Sequence, residues 1–364
     1  MDDTGGKAAY RSRMSMRPRA TIRPRAIAEN WQHLSQLAAG REAGAVVKAN
    51  AYGHGLAPVA RALAQAGCRS FFVAYAFEGA DLRAALGPGP AIYVFNGPDR
   101  EGLADHAAHD LVPVINSMAQ AALWAEGGGG APFALHVDTG MNRLGVRPET
   151  LGAVRDQLGA PALVMSHFAC ADDPGHPLNP AQCEAFAAAR EWFPSAPTSL
   201  ANTAAHFLRA ECHGDITRPG IGLYGGGTSP AQTHAFEPGL TLDAPILTVS
   251  DVPAGETVGY GATARLERPA RLATIALGYG DGFPRSAGNR GFGVIAGVRC
   301  PIVGRVSMDL ITLDVSAAGG LAKPGEWVEM LGSGARLEEQ AALAGTLGYE
   351  LVTGLGPRIE RVIE

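Results

Sequence analysis

The sequence predicts an N-terminal (β/α)8 barrel of the TIM type followed by a mostly β C-terminal domain. Over about two hundred residues, eight short apolar runs alternate with alanine-rich helical stretches. From about residue 241 the texture changes to short β-rich runs punctuated by glycine and proline. An open doubly wound sheet is the alternative for the first part, because counting units does not separate a closed ring from an open one. No Gly-x-Gly-x-x-Gly follows an early strand, which weakens a dinucleotide-binding reading.

Taken in order, residues 1–16 mix acidic and basic side chains with no apolar core, so a disordered tail without a signal peptide is expected, with Met14 or Met16 as possible starts. Residues 25–39 predict a helix with Ile27, Trp31, Leu34 and Leu37 on one face. Strand-like runs follow at 45–48, 71–74, 92–95, 111–115, 133–138, 162–166, 198–200 and 215–218. Helical stretches lie between them, for example at 57–66, 77–85, 118–125, 148–158 and 180–193. Gly127-Gly-Gly-Gly130 reads as a flexible barrel loop. The segment 226–240, with Gly225-Gly-Gly227, Pro230 and Pro238, has a linker-like composition, so the barrel is placed at 17–240 and the β-rich domain at 241–364. In that second domain, strands are expected at 244–250, 271–277, 292–296, 300–304 and 310–315, with one helix at 337–347.

Bulk properties exclude several classes. A net charge of −5 with no persistent basic block argues against a nucleic-acid surface. No apolar run is long enough to span a bilayer. Cys68, Cys170, Cys183, Cys212 and Cys300 are scattered, odd in number and without metal-like pairing, which suggests free thiols in a reducing compartment. A soluble cytoplasmic protein is the expectation.

In such a barrel, chemistry belongs at the carboxyl ends of the strands. Lys48 ends the first, in Ala45-Val-Val-Lys-Ala-Asn-Ala-Tyr-Gly-His-Gly55. An amine partly desolvated there can lose its proton and attack a carbonyl. Asp138, Thr139 and Arg143 follow the fifth run, His167 ends the sixth, Asn202 and Thr203 follow the seventh, and Arg218 ends the eighth. Each has a plain alternative: a lysine closing a buried strand, caps at Asp138 and Thr139, a core histidine, a surface arginine. Together, however, the types suit pyridoxal phosphate (PLP), which needs a lysine for its aldehyde, donors for its phosphate and a group opposite its ring nitrogen. Backbone N–H groups at Gly220 and Ile221, with the hydroxyls of Thr203 and Tyr52, could supply the phosphate donors.

The lysine segment, Asp138-Thr-Gly-Met-Asn-Arg-Leu-Gly145, His167-Phe-Ala169 and Arg218-Pro-Gly-Ile221 all resemble blocks of the alanine racemases. So do Val258-Gly-Tyr-Gly-Ala-Thr263, Gly278-Tyr-Gly-Asp-Gly282 and Ile302-Val-Gly-Arg-Val-Ser-Met-Asp309, in the family's order from about residue 20 to 360. The resemblance implies a PLP-dependent racemisation of alanine by a homodimer with shared sites. Lys48 would hold PLP and act as one base; Tyr260, from the partner subunit, would be the other. Two bases suit inversion, since a proton must leave one face of the α-carbon and arrive on the other. The resemblance also sets Arg218 against the pyridine nitrogen, with His167 behind it. It gives the substrate carboxylate to Arg143 and to the backbone N–H of the partner's Met308, and places Tyr279 at the entrance. Related-fold PLP decarboxylases carry a Glu where Arg218 stands.

Two departures from the family pattern stand out. His136 occupies a position where many members have a lysine, carbamylated in some, that orients the arginine. A late phosphate-contacting tyrosine is replaced, by register from Pro357-Arg358, by Gly354, with Tyr349 nearby. The second departure would widen the pocket. The rival readings are a racemase of another amino acid such as serine, a same-fold decarboxylase, a non-enzymatic PLP carrier, and a Schiff-base aldolase barrel without PLP. The carrier reading leaves residues 241–364 unexplained, and the aldolase reading leaves the phosphate residues unexplained.

Overall fold

The computed structural model describes residues 16–228, 232 and 235–364; the tail expected to be disordered lies, but for Met16, outside the described residues. The chain divides into two compact units, Pro24–Gly239 and the residues up to Arg23 together with Leu240–Glu364.

In the first unit, strands Ala45–Val46, Ser70–Val73, Ala91–Val94, Val112–Ile115, Ala134–His136, Leu163–Met165 and Thr198–Ser199 pair in parallel in chain order. Their side chains are almost continuously buried, as expected for strands covered on both faces. Closure depends on Gly44. The first strand begins at Glu42–Ala43, is interrupted there, and resumes at Ala45; its front half pairs in parallel with Ile216–Thr217. The Gly44 N–H donates to Thr217 O at 2.9 Å. On the far side, Asp215 N–H donates to Thr198 O at 2.7 Å and Arg218 N–H to Ala201 O at 2.8 Å. The eighth strand therefore joins the seventh to the first, and the ring is closed.

Helices alternate with these strands, and each presents a short apolar face. Leu56–Ala66 buries Val59, Ala60 and Leu63, while Leu178–Arg190 buries Phe186 and Ala189. Helix Pro24–Leu37 starts with its proline at the first helical position, where a missing N–H costs nothing. It buries Ile27, Trp31 and Leu34 and anchors to the first strand through Trp31 Nε1, which donates to Ala43 O at 3.1 Å. The helix Met118–Gly127 runs into the first residue of the glycine run expected to be wholly loop.

The second unit is built around one long strand, Leu240–Val252. Its first half pairs antiparallel with Arg19–Ile22 and Trp327–Leu331, its second half with Ala270–Ala276. Register shifts between Leu242 and Asp243 and between Ile246 and Thr248 let one strand serve partners on different sides. Residues 17–23, assigned above to the barrel, thus belong with the β unit. Strand Arg19–Ile22 lies between Leu240–Val252 and the parallel strand Glu360–Ile363. The late helical region is two helices, Leu337–Ala344 and Gly348–Thr353, broken at Gly345 in the left-handed region.

The reading of five free thiols needs correction. Cys183 and Cys212 form a disulfide, with Cα atoms 5.6 Å apart, because helix Leu178–Arg190 packs beside the turn Ala210–Cys212. Cys68, Cys170 and Cys300 are free. Thiol count therefore no longer argues for a reducing compartment. Among the described residues, no helix is long and apolar enough to cross a membrane.

A Cβ on Gly44 would lie 2.7 Å from the Phe72 ring and 2.9 Å from Ser70 O. Gly44→Ala is expected to lower stability by about 1–3 kcal/mol through overpacking at the seam. Urea unfolding of the two proteins side by side checks this; equal midpoints would remove Gly44 from the closure argument.

Candidate active site

Closing the ring gathers the strand ends on one face. Val47 N–H is bonded to Phe72 O at 2.9 Å, and Lys48 leaves the strand directly after it. Ala49, Asn50, Ala51 and Tyr52 then all have φ between 50° and 54°. This is a left-handed turn built without glycine, a conformation costing about 1–2 kcal/mol per residue. Its bonds are specific: Ala51 N–H to Val47 O and Gly53 N–H to Ala49 O, both at 2.9 Å. Leu56 N–H donates to Asn50 Oδ1 at 2.8 Å, and Ala49 N–H to the buried Glu78 Oε1 at 2.6 Å. The Lys48 ammonium sits 5.7 Å over the Phe95 ring. Burial, and then the charge of Arg143, push its pKa below the ordinary 10.5, with Glu78 opposing.

Arg218 is buried and forms no ion pair among the described residues. Nη1 donates to Ser199 Oγ at 2.5 Å; Nη2 donates to Ser166 O at 2.6 Å and reaches Leu200 O and His167 Nδ1 at 3.4 Å. Burial pulls its pKa down to about 9, which still leaves a cation at neutral pH. Arginine has no acceptor, so His167 Nδ1 must be the bare nitrogen and the neutral ring carries its proton on Nε2. Burial and the charge of Arg218 hold His167 well below its usual range.

Thr203 Oγ1 accepts the N–H of Gly220 at 2.9 Å and of Gly222 at 3.3 Å. The Gly220 amide, expected to be a phosphate donor, is therefore already committed. With both lone pairs engaged, the hydroxyl still has its proton to give. The Ile221 N–H opens the turn Ile221–Tyr224, where no intrahelical acceptor exists. A Cβ on Gly220 would stand 2.7 Å from the Tyr52 hydroxyl, so only glycine lets that phenol approach the backbone. The Tyr52 ring stacks on Tyr224 at 4.7 Å, and Tyr224 donates to Val46 O at 2.9 Å. Asn202, in contrast, uses its side chain to accept Ala205 N–H at 3.0 Å, capping the turn Ala204–Phe207.

Arg143 is exposed and forms no ion pair among the described residues. Its loop is shaped by Asp138, whose carboxylate accepts the N–H groups of Gly140 and Asn142 at 3.0 Å and pairs with Arg147 at 3.1 Å. Burial would raise the Asp138 pKa, but these N–H groups and Arg147 together bring it below the usual carboxylate value. His136 Nδ1 lies 2.9 Å from Asn116 Oδ1. The Asn116 amide nitrogen donates to Phe95 O at 2.9 Å and Val114 O at 2.7 Å, which fixes the oxygen as the acceptor. His136 must then carry its proton on Nδ1 and leave Nε2 bare. Burial, then Arg218, lower its pKa to about 4, so it is neutral.

The β unit groups the remaining three. Tyr260 lies on the turn Tyr260–Ala262, 75% exposed, between Gly259 and Gly261, both with φ 73°. A Cβ on Gly261 would stand 3.0 Å from the Arg305 guanidinium. Tyr279 N–H donates to Ser307 O at 3.0 Å, and Gly280 N–H to Met308 O at 2.8 Å. Arg358 ties the Tyr279 turn to the Met308 segment through Asp281 at 2.8 Å and Asp309 at 2.7 Å. The three expected residues therefore surround one segment, 304–309, and all are exposed.

The residues not anticipated are Glu78, Asn116 and Ser199. Glu78 alone had a sequence signal: an acidic side chain at the third position of a helix, able to accept the N–H of Tyr75 (3.2 Å).

The profile described as "Alanine racemase, N-terminal domain" matches residues 22–228, and "Alanine racemase, C-terminal domain" matches 239–363. The chain belongs to the alanine racemase family. It is 45% identical over 352 residues to the alanine racemase of Methylobacterium nodulans, covering 94% of this chain and 95% of that one. It is 46% identical over 358 residues to that of Acidiphilium cryptum, covering 95% and 99%. Among solved structures, the Bartonella henselae alanine racemase with covalently bound pyridoxal phosphate superposes with a TM-score of 0.90 at 34% identity, over 96% of this chain and 99% of that one. The biosynthetic alanine racemase of Pseudomonas aeruginosa gives 0.89 at 36%, with the same coverage. In this family member, the strand ends assemble the expected barrel residues Lys48, Tyr52, His167, Thr203, Arg218 and Ile221, while Asn202 acts as a cap.

Because burial and Arg143 both disfavour its charge, Lys48 should react with an amine-selective acylating reagent with a pH midpoint below 10.5. Arg143→Gln should move that midpoint upward. Mass-resolved labelling across pH reads both; a midpoint at or above the ordinary lysine value would contradict the burial argument.

Proposed function

We propose that this protein is a PLP-dependent alanine racemase whose complete site joins the barrel of one subunit to the β unit of its partner. The observation that carries it is the Arg218 guanidinium, buried without a carboxylate partner among the described residues and at the same strand ends as Lys48. An obligate cation there leaves an opposing ring nitrogen without a proton of its own, which favours reversible proton exchange over deeper electron withdrawal.

The residues present suit the cofactor. The Thr203 hydroxyl proton, the Ile221 N–H and the Tyr52 phenol converge around Gly220, a cradle that a single Cβ would fill. When bound, PLP supplies an aldehyde that takes up the amino group and acidifies the α-hydrogen. The chain does the rest. Lys48, half-buried and biased toward its neutral form, removes or returns the proton on one face of the α-carbon. Tyr260 of the partner subunit does the same on the opposite face. Arg143 holds the substrate carboxylate, with the backbone N–H of the partner's Met308 as a second donor, and His136 offers Arg143 a bare Nε2. Tyr279 lines the approach. Exposed Tyr260, Tyr279 and Met308 around a single segment of the β unit are what such a shared site requires.

Proton NMR of the PLP-loaded protein with L-alanine in D2O tests this. Loss of the α-proton signal with formation of D-alanine is expected, and absence of both would end the racemase reading. Tyr260→Phe should lower racemisation by about 10²–10⁴-fold, the usual weight of one acid–base group. A variant that still racemises at the parental rate would remove Tyr260 as a base.

The late tyrosine's register falls on Gly354, which caps helix Gly348–Thr353 and would bring a Cβ to 2.8 Å from Glu350 O. A pocket lacking that phenol should turn over serine alongside alanine. Parallel rate measurements decide, and strict restriction to alanine would show that another side chain closes the space.

A further inference from the structure

Glu78 sits in the second βα unit, well outside the residues assigned to the reaction, yet its carboxylate reaches the lysine turn. Oε2 accepts Ala74 N–H at 2.8 Å and Tyr75 N–H at 3.2 Å, fixing the start of helix Ala76–Leu86. Oε1 accepts Ala49 N–H at 2.6 Å. The side chain is buried and forms no ion pair among the described residues. Ala49 is the first of the four left-handed residues, immediately after Lys48, and it, Ala51 and Tyr52 carry side chains that disfavour the conformation, which only Asn50 tolerates readily. A turn so disfavoured persists only if something outside it holds it.

We propose that Glu78 is the positioning residue for Lys48: its carboxylate clamps the first left-handed residue and so fixes where the amine stands for the cofactor. The inference rests on the proposed PLP chemistry for the identity of what Lys48 meets. The left-handed geometry and the three hydrogen bonds do not depend on it. The charge of Glu78 also acts on Lys48, opposing the effect of burial. The carboxylate thus restrains the amine's loss of its proton while setting its location.

Glu78→Gln separates the two ends of this bridge. The amide oxygen can still cap Ala74 and Tyr75, but an N–H would then face the Ala49 N–H. Hydrogen exchange of the full-length protein should speed up in residues 49–53 and stay slow in helix Ala76–Leu86. Release of PLP, with its attachment to Lys48 read by borohydride reduction and mass spectrometry, should become at least about ten-fold easier. Adding Ala49→Gly should restore most of that loss, because glycine takes positive φ without a Cβ penalty. A Glu78→Gln protein with unchanged exchange and PLP release overturns the proposal. So does a loss that Ala49→Gly fails to restore, since the carboxylate would then act through the helix or its charge alone. Misfolding of Glu78→Gln both with and without Ala49→Gly also overturns it, by making Glu78 a support of the unit rather than of the turn. Racemisation is not the readout: a parent protein that holds PLP on Lys48 but leaves alanine unchanged would remove the functional reading and leave this one standing.

Discussion

The barrel mouth is organised by a guanidinium that has no carboxylate partner among the described residues. Arg218 ends the eighth strand and spends its donors on Ser199 from the seventh, Ser166 and His167 from the sixth, and the Leu200 carbonyl. These contacts exist only because the ring closes, and it closes because Gly44 lets the first strand change partners beside Phe72 and Ser70. Seam and chemistry are therefore one problem. A buried cation held by neutral dipoles keeps its charge uncommitted, and that charge in turn fixes the neutral tautomer of His167.

Much of this was legible in the chain because it follows from local pattern. All eight barrel strands fall where apolar runs were expected, and Lys48, His167 and Arg218 stand at their carboxyl ends. What was hidden depends on distant or conformational facts. Strand Arg19–Ile22 pairs with segments more than two hundred residues away, and nothing in its four residues distinguishes a barrel partner from a β-sheet partner. The left-handed turn is built from alanine, asparagine and tyrosine, none of which advertises positive φ as glycine does. Gly220 looked like a phosphate donor by composition, yet its N–H serves Thr203, which only the meeting of the seventh and eighth strand ends reveals. Cys183 and Cys212 pair because a helix and a later turn pack together, a relation that spacing alone does not carry.

The β unit solves a different problem: presenting side chains outward from a rigid frame. Its long strand pairs with different strands along its length and carries two register shifts, which bend the sheet without breaking it. On this frame, segment 304–309 holds the Tyr279 turn through that turn's backbone bonds to Ser307 and Met308, while Arg358 ties turn to segment through Asp281 and Asp309. The last of these pairs is largely exposed and contributes little to stability by itself. Asp281, however, is buried and also accepts the Gly278 N–H, so the Arg358 contact keeps a buried carboxylate satisfied and the Tyr279 turn in register.

Electrostatics ties the pieces of the barrel site together. Arg218 and Arg143 both lack a carboxylate partner among the described residues, and the histidines between them are held neutral. A carboxylate in place of His136 would pair with Arg143 and cancel the charge that a substrate carboxylate is meant to meet. The oriented Asn116 amide prevents even the competing arrangement of His136, since its oxygen takes the only ring proton. The result is a site with uncommitted positive charge at Arg218 and Arg143, and a lysine whose pKa is lowered first by burial and then by Arg143. Such a pocket is most stable when anions complete it. The Arg143 charge that would meet a substrate carboxylate also adds to burial in lowering the pKa of the Lys48 amine.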